Sequence, residues 1–547
     1  MKSTTAIFDE AASRSDRHPL FVLTFASTHI ELCSWEFGGA CSDRWPLIAE
    51  VGGYTGTVKP DEGRSDVSGV TIKIIDDERM HQLAAMLPDN DRIVIRGGFR
   101  SIESVEADWP VLLSGLLDEF KLDTSLGMWS MSVNDLNYYR VNSAFRTFGK
   151  TRADGAILAG DAVIDVDSTD GSSGGDQAFH DPGDSETNGW LLIDNREICS
   201  YTGVNATQFT GVARGQLAQC GGRPAMAHDD NVEIRELFVL QDNPIDLILK
   251  ILTSTGTGAN GAYDAWESDQ GLGIDVDLID LDAFETERDR YLPSDEYRFV
   301  LKEPVKSVKN WTESEILKTL NAYLIITGAG LISMRLYNPP FAEEPEALEE
   351  SDMSNLSGWD RGLSELKNHT QFSYDWNVID GEFMTHRYDL EGDSITEHGL
   401  SKPWKCQCKG MYTDTQAGSI ITRRVARLFL RYAQGAPGFD CDLDFEKFKH
   451  DPGDIVAVTH ARLPDLARGV RGVVSQLMEL VSVRPEWMKG KVRAKVLDTR
   501  LSGKFGMICP NDYPAYDAAT LEQRQWAYIC DTATELMPNG DPPTLII

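Results

Sequence analysis

Apolar and polar residues alternate along several short runs near the start of the chain. At positions 21–25 and 70–74 every second residue is a large apolar one. A period of two is typical of strands that bury one face. Further apolar runs lie at 93–95, 111–117 and 128–133. Because turn-forming residues separate these runs, we predict a first β-barrel-like domain over residues 19–150.

The same alternation returns toward the end of the chain. In residues 491–497 three apolar residues alternate with three basic ones, so the apolar ones are predicted to face a core. Other strands in this part are predicted at 371–378, 383–388, 443–448, 454–459 and 472–483. We therefore expect a second β-barrel-like domain over residues 346–500, and the acidic, proline-bearing stretch 339–358 indicates the boundary that precedes it.

Helix-start signals occur between these two β regions. Asn243 can cap a helix and Pro244 fits its first turn, so a helix is predicted from that point. Thr312, with a glutamate three residues later, forms a capping-box pattern that predicts another helix beginning there. Together with a predicted hairpin over 323–336, these helices indicate an α+β domain at 238–345.

The stretch 189–232 indicates a compact β unit. Two apolar runs flank Asp194 and Asn195, whose side chains tolerate tight-turn backbone angles, so the runs are predicted to form a hairpin. We place this unit in a small β domain at 151–237. Three residues are expected to organise it: Trp190, Tyr201 and Arg214.

The two ends of the chain complete the expected organisation. Residues 1–18 are polar and are predicted to form a flexible or docking arm. Residues 501–547 contain few long apolar runs and are predicted to form a C-terminal extension that reaches over a neighbour or frays. The fold class is therefore mainly β with an α+β insert, in a multidomain chain of 547 residues.

Charge and composition restrict the possible partners. The chain has 86 acidic and 52 basic residues, a net charge of −34, which disfavours duplex nucleic acid as a bound ligand. No apolar run approaches the ~20 residues of a membrane span, and the first ten residues lack signal-peptide features, so we expect folding in the cytoplasm. Nine cysteines scattered over a long chain favour reduced thiols.

Candidate catalytic chemistry is sparse. The chain lacks the serine-hydrolase elbow, the zinc-protease helix motif, the phosphate-binding loop and the dinucleotide fingerprint. The histidines nearest to carboxylates in sequence are His450, which is close to Asp451 and Asp454, and His460, and we interpret both as structural. We expect no enzymatic activity and no cofactor.

Two sequence features invite a metal interpretation. Cys406 and Cys408 would share one face of a strand, but no further ligands complete a zinc set. An acidic loop has Gly171 at its seventh position, whereas an EF-hand requires glycine at the sixth, so a solvated turn is favoured over a calcium site. The carboxylates of this loop are Asp165, Asp167 and Asp170. We expect no metal ion at either place.

A basic helix is predicted over residues 422–432, with apolar residues along one side. Its cationic residues are Arg423, Arg424, Arg427 and Arg431. They could pair with carboxylates of this chain on an exposed helix, or they could contact an acidic neighbouring subunit. We nominate these four arginines as a candidate subunit interface.

The order of several motifs resembles a known protein family. The stretch 189–203 reads G-W-L-L-I-D-x-x-x-I-x-x-Y-T-G, residues 209–215 read F-T-G-V-x-R-G, and His228 precedes an acidic strand. Residues 243–249, 256–263 and 453–460 follow in the same order. This pattern resembles the tail-tip, or baseplate, hub proteins of long-tailed bacteriophages and of phage-like gene transfer agents.

The resemblance implies a structural role in a virion tail that is assembled in the host cytoplasm. In that family the end domains of a homotrimer form six similar barrels, which close the sixfold tail tube and adapt it to a threefold tip. The implied partners are the tail-tube ring, the distal tail protein, the tape-measure protein and a central fibre or tip protein. DNA would only pass through the channel, and the acidic composition predicts a channel surface of net negative charge.

Two other classes of function remain alternatives. A tail-associated cell-wall hydrolase would require a compact catalytic module with a Cys/His or Glu/Asp set and would clear peptidoglycan in a zymogram. A receptor-binding adhesin would bind cells directly, whereas a hub would bind tail proteins and not cells.

Overall fold

The computed structural model describes residues 4–14, 17–36, 44–88, 91–102, 109–135, 144–145, 147–170, 178–182, 188–255, 257–264, 271–327, 330–337, 345–466 and 469–498. Strands dominate these residues and form one closed barrel and several further sheets. The predicted mainly β, multidomain fold class is therefore confirmed. The predicted C-terminal extension lies outside the described residues.

The first region folds into the closed barrel. In chain order it contains α1 (Ala6–Ser13), β1 (Pro19–Phe25), β2 (Glu31–Ser34), β3 (Trp45–Val51), β4 (Gly56–Lys59), β5 (Arg64–Val67), β6 (Val70–Ile75), α2 (Glu78–Met86), β7 (Arg92–Phe99), β8 (Val111–Asp123) and β9 (Met128–Asp135). The barrel order is β1-β2-β3-β6-β9-β8-β7, and β1 closes it by pairing with both β2 and β7. The predicted alternation is confirmed on β6, where Ile72 and Ile74 are buried and Lys73 is exposed.

The middle region combines small sheets with helices. It contains β10 (Lys150–Arg152), β11 (Val163–Asp165), β12 (Gly189–Ile193), β13 (Glu197–Tyr201), β14 (Gly203–Asn205), β15 (Gln208–Thr210), β16 (Glu233–Asp242), α3 (Pro244–Thr253), α4 (Leu281–Tyr291), β17 (Tyr297–Leu301), α5 (Val308–Trp311), α6 (Lys318–Leu320), β18 (Ala322–Ile326) and β19 (Ile332–Leu336). Strands β10-β16-β12-β13 form one sheet, which β17 joins by pairing with β16. The predicted β12–β13 hairpin is confirmed, since Asp194 and Asn195 adopt φ values of 50° and 48°.

Of the two predicted helix starts in this region, one is confirmed and one is wrong. Helix α3 begins at Pro244, as predicted. The helix predicted to begin at Thr312 instead begins at Val308, where the Ser307 side chain caps the first turn. Thr312 begins a π-helical stretch, Thr312–Leu317, that continues α5 into α6, and its hydroxyl donates to the carbonyl oxygen of Val308 at 2.8 Å. The glutamate of the expected capping box, Glu315, accepts a hydrogen bond from the backbone of a distant loop instead.

The last region contains β20 (Glu346–Leu348), β21 (Met353–Asp360), β22 (His369–Asn377), β23 (Glu382–Leu390), α7 (Gly392–His398), β24 (Pro403–Gln407), α8 (Ala417–Tyr432), β25 (Gly438–Asp444), β26 (Ile455–Asp465), β27 (Val470–Glu486) and β28 (Lys491–Leu497). Six of these strands lie in one eight-stranded sheet in the order β20-β26-β27-β28-β25-β21, and β4 and β5 of the first region are its other two strands. Strands β22, β23 and β24 form a separate sheet. The strands expected within 346–500 are therefore divided between two sheets.

The sheet that runs from β20 to β21 is curled. If it were flat, its edge strands β20 and β21 would lie about 24 Å apart. Only residues 349–352 join these two strands, and five extended residues span about 18 Å at most. The short connection therefore keeps the two edges closer together than a flat sheet allows, so the sheet is curved.

One strand predicted in this sheet is wrong. The strand expected at 443–448 ends at Asp444, and Phe445–Lys449 forms a 3₁₀ turn. Phe445 and Phe448 are both buried, and their rings stack with centroids 5.5 Å apart. Side chains three residues apart share one face of a helical turn but point to opposite faces of a strand.

The closed barrel and the curled sheet share one hydrophobic core. Trp487, just after β27, contacts Phe21 and Phe99 of the barrel, with ring centroids 5.6 and 6.0 Å apart. Helix α1 lies at the same junction, because its buried Phe8 contacts both Phe99 and Phe448. The segment 1–18, which was expected to be an arm, thus contributes a helix to this shared core.

Candidate assembly interface

The motif residues of the small β unit converge on Glu197 of β13. Its side chain is fully buried and accepts hydrogen bonds from Arg214 at 2.7 and 2.8 Å and from His228 at 2.8 Å. The backbone N–H groups of Gly215 and Met226 also donate to it. Burial alone would raise the pKa of Glu197, but the hydrogen bonds from Arg214 and His228 outweigh it and hold the pKa below its usual value.

This Glu197 network gives the sequence motif a structural role. Arg214 also donates to the backbone oxygens of Leu158 and Met226, so it fastens two loops to the β12–β13 hairpin. The prediction that Arg214 organises the β unit is confirmed, and the Tyr201 hydroxyl similarly donates to a backbone oxygen at 2.6 Å. The sequence analysis did not identify Glu197. The apolar residues that follow it in the chain were the available signal, because a carboxylate buried among apolar residues needs hydrogen-bond partners.

The β4–β5 hairpin of the first region packs against elements of the middle and last regions. Strand β4 pairs with β27 of the curled sheet. At the hairpin turn the buried carboxylate of Asp61 accepts hydrogen bonds from Lys367 at 2.5 Å and from the Tyr432 hydroxyl at 2.9 Å. Burial would raise the pKa of Asp61, but the charge and hydrogen bond of Lys367 lower it overall. The sequence indicated only a turn-rich spacer here.

Space around the hairpin turn is also tightly filled. Gly63 adopts φ 69°, and a Cβ added there would lie 2.4 Å from the backbone nitrogen of Lys318 in α6. Trp404 of β24 donates to the backbone oxygen of Asp61 at 3.0 Å. The hairpin therefore ties the first region to α6, α8 and β24 as well as to the curled sheet.

Two of the four nominated arginines are buried inside the chain. Arg424 is 1% exposed and donates to Asp295 at 2.9 Å. Arg431 is 2% exposed, forms an ion pair with Glu479 of β27, and lies 4.0 Å from the ring centroid of Tyr337. Neither side chain can contact a neighbouring subunit without leaving this core. For these two, the expectation of an exposed helix face is therefore wrong.

Arg423 and Arg427 are placed differently. The Arg423 side chain is 42% exposed and shares Asp295 with Arg424. Arg427 is half-buried, its Nη1 atom has no hydrogen-bond partner, and no described residue forms an ion pair with it. Burial and the charges of Arg424 and Arg423 lower the pKa of Arg427 to about 9. For these two, the subunit-interface prediction stays a prediction.

The histidines considered as catalytic candidates have structural surroundings. His450 is buried, and its ring nitrogens lie 3.5 Å from Asp454 and 3.5 Å from Glu346. Asp454 also accepts a hydrogen bond from Arg335 of β19 at 2.5 Å, and the contacts with His450 and Arg335 outweigh burial and lower the pKa of Asp454. His460 accepts a hydrogen bond from a backbone N–H two residues away. The His450 cluster thus fastens β19 to the curled sheet.

The metal candidates do not form a ligand set among the described residues. Cys406 is buried in β24, and burial raises the pKa of its thiol to about 12. Cys408 is buried close by. Asp165 accepts a hydrogen bond from Gln208 at 2.6 Å, and Gly171 of the acidic loop lies outside the described residues.

A polar cavity of about 590 Å³ lies at the start of α3. Several carboxylates line it, but four of them already have cationic partners. Asp242 pairs with Lys250, Asp246 and Asp289 share Arg288, and Asp295 pairs with Arg423 and Arg424. The cavity therefore has a solvated lining whose acidic charge is mostly neutralised within the chain.

Large apolar side chains are exposed on strand β23. Among the described residues this strand pairs only with β22, so its other edge is unpaired. Met384, Tyr388 and Leu390 alternate along one face and are about 60% exposed. A free strand edge beside exposed apolar residues is typical of a surface that another chain covers. Among the described helices none is long and apolar enough to cross a membrane.

Comparison with known proteins finds no matching family model and no matching curated protein. Among solved structures, the 43 kDa tail protein of prophage MuSo2 from Shewanella oneidensis aligns with a TM-score of 0.37 and 8% identity, covering 89% of this chain and 99% of that one. The tail protein from Neisseria meningitidis MC58 aligns with a TM-score of 0.38 and 9% identity, covering 88% and 98%. Prophage tail protein gp18 from Listeria monocytogenes EGD-e aligns with a TM-score of 0.33 and 7% identity, covering 88% and 94%. All three of these structures are of tail proteins.

Proposed function

We propose that this chain is the structural hub of a phage or gene-transfer-agent tail tip. Three copies close the sixfold tail tube and adapt it to a threefold distal fibre or tip. The assembly leaves a channel for the tape-measure protein and DNA, and it resides in the virion after assembly in the host cytoplasm. The chain performs no catalysis in this role.

The observation that carries this proposal is that the closed barrel and the curled sheet, the two β bodies of the subunit, are joined. One subunit holds a closed barrel and a curled eight-stranded sheet on a shared core. The β4–β5 hairpin adds backbone pairing between them. A ring built from two barrels per subunit requires this fixed relation, since a flexible pair could not present evenly spaced barrels. Three such subunits supply six bodies, which matches what the sequence resemblance implies.

The residues between the two bodies have a separate place in this proposal. They form the small β unit and the α+β part, which the Glu197 network and helix α3 stabilise. We assign to these inserted parts the contact with the distal fibre or tip protein. The exposed apolar face of β23, in the separate sheet of the last region, is a further surface available for such a contact.

The proposed channel has a testable electrostatic property. The chain carries 34 more acidic than basic residues, so its average surface potential is negative. A channel lined by such a surface repels DNA phosphates and minimises adhesion during ejection. A trimer structure with a strongly basic channel would contradict this part of the proposal.

Reconstitution tests the proposal. Purified protein is mixed with the tail-tube and distal tail proteins of the same genome, and the products are imaged by electron microscopy. We expect threefold-symmetric particles that cap sixfold tube rings. A protein that ignores both partners but clears peptidoglycan in a zymogram would be a hydrolase, and one that ignores both but binds cells would be an adhesin.

A further inference from the structure

Three arginines of α8 surround a single carboxylate. Arg423 and Arg424 both contact Asp295. Arg427, on the next turn of the helix, has these three residues as charged neighbours. Three guanidinium groups against one carboxylate leave two positive charges uncompensated within this group.

Arg427 is the arginine with the least compensation. Its Nη1 atom is buried without a hydrogen-bond partner, and no carboxylate among the described residues pairs with it. A guanidinium that is partly removed from water and unpaired lowers the stability of the folded chain. Arg431, one turn further along the same helix, is also buried, but it forms an ion pair with Glu479. Arg427 therefore differs from Arg431 in lacking a carboxylate partner within the described residues.

We propose that Arg427, together with the exposed edge of Arg423, receives a carboxylate from a second copy of this chain. The inference rests on the proposed trimer and names one contact within it. Arg–carboxylate pairs are strong because two parallel hydrogen bonds reinforce the charge attraction. In a closed ring the same contact recurs at every subunit boundary, with the arginines on one face and the acid on the other.

Charge balance favours a second copy as the source of that acid. The chain has 86 acidic residues against 52 basic ones, so each copy carries a surplus of carboxylates. The same surplus makes copies repel one another at long range. A cationic site that binds a neighbour's carboxylate reduces that repulsion at the contact. In this arrangement Arg427 gains a counterion only when the ring is assembled.

The first test is the substitution Arg427→Met, which keeps the length of the side chain but removes its charge. We expect the trimer dissociation constant to rise by about tenfold or more. Thermal unfolding of the dissociated subunit should occur at the same or a higher temperature, since an unpaired charge has been removed. Arg361→Met, at an exposed arginine distant in sequence, is the matched control and should change neither quantity.

The second test identifies the partner acid and does not depend on Arg427→Met folding. The variant Arg427→Lys is treated with a zero-length carbodiimide, which joins an amine to a carboxylate in direct contact. We expect a crosslink between residue 427 of one copy and an Asp or Glu of another, located by peptide mass spectrometry.

The outcomes separate this inference from the proposed function. A wild-type protein that never trimerises would overturn the hub proposal itself. A trimer that is unaffected by Arg427→Met, or that yields no intersubunit crosslink from residue 427, would overturn the inference and leave the hub proposal intact.

Discussion

The Glu197 network and the arginine group of α8 both bury charged side chains, but their charge balance differs. At Glu197 one carboxylate receives Arg214, His228 and two backbone N–H groups. At Asp295 one carboxylate is shared by two arginines, and Arg427 beside it has no counterion among the described residues. A matched network stabilises the subunit that contains it. A mismatched one lowers subunit stability, and we propose that a second chain completes it.

The largest effect is expected at Glu197. Glu197→Gln leaves Arg214 buried without its counterion, and breaking a buried charge pair costs about 3–5 kcal/mol. We expect the free energy of unfolding to fall by that amount in chemical denaturation. Glu233→Gln is the control, because its side chain is 42% exposed and the change should be below about 1 kcal/mol. Equal losses in both variants would remove the distinction between a matched network and a surface pair.

The same substitution at two positions of α8 sharpens the comparison. Arg431→Met leaves Glu479 buried and unpaired, so we expect a loss of about 3 kcal/mol in unfolding free energy. Arg427→Met removes a cation that has no counterion, so folding stability should stay constant or rise. If both variants lost stability equally, Arg427 would have an internal partner and the mismatch would not exist.

A smaller effect is expected at the β4–β5 hairpin. Asp61→Asn weakens the contacts with Lys367 and Tyr432, and a hydrogen bond to a charged group contributes about 2 kcal/mol. Differential scanning calorimetry should show a correspondingly lower unfolding temperature. The control Asp66→Asn lies on the same hairpin with a side chain that is 67% exposed, and it should shift that temperature very little.

Acid should weaken the matched sites first. Folding lowers the pKa values of Glu197 and Asp61, so these carboxyls stay ionised in the folded chain when the unfolded chain has already taken up protons. Their contribution is present above the usual carboxyl pKa values of 4.5 and 3.8 and is lost as pH falls below them. Each unit of lowered pKa contributes about 1.4 kcal/mol. Denaturation followed against pH should therefore show a shallower acid loss for Glu197→Gln, and an unchanged slope would count against this origin.

The elements that the sequence predicted correctly rest on local signals. The Asn243-Pro244 helix start, the Asp194-Asn195 turn and the alternation over β28 each depend on a few neighbouring residues. Such signals were also the source of one error. Thr312 had a suitable pattern, but Ser307 caps the helix and Thr312 lies within it.

The parts that could not be predicted depend on contacts between distant residues. Asp61 is more than 300 residues from Lys367 and Tyr432, and nothing near the hairpin turn indicates those partners. The four arginines of α8 look equivalent in sequence. Tertiary packing alone separates the buried, paired Arg424 and Arg431 from the exposed Arg423 and the uncompensated Arg427. The burial of each depends on which element covers that face of the helix.

The mass of the protein in solution tests the account most directly. Sedimentation equilibrium of the wild type should give three times the 60.7 kDa mass of one chain, and Arg427→Met should shift the distribution toward single chains at the same concentration. A wild type that remains a single chain at every concentration, alone and with tail proteins, would contradict the hub assignment.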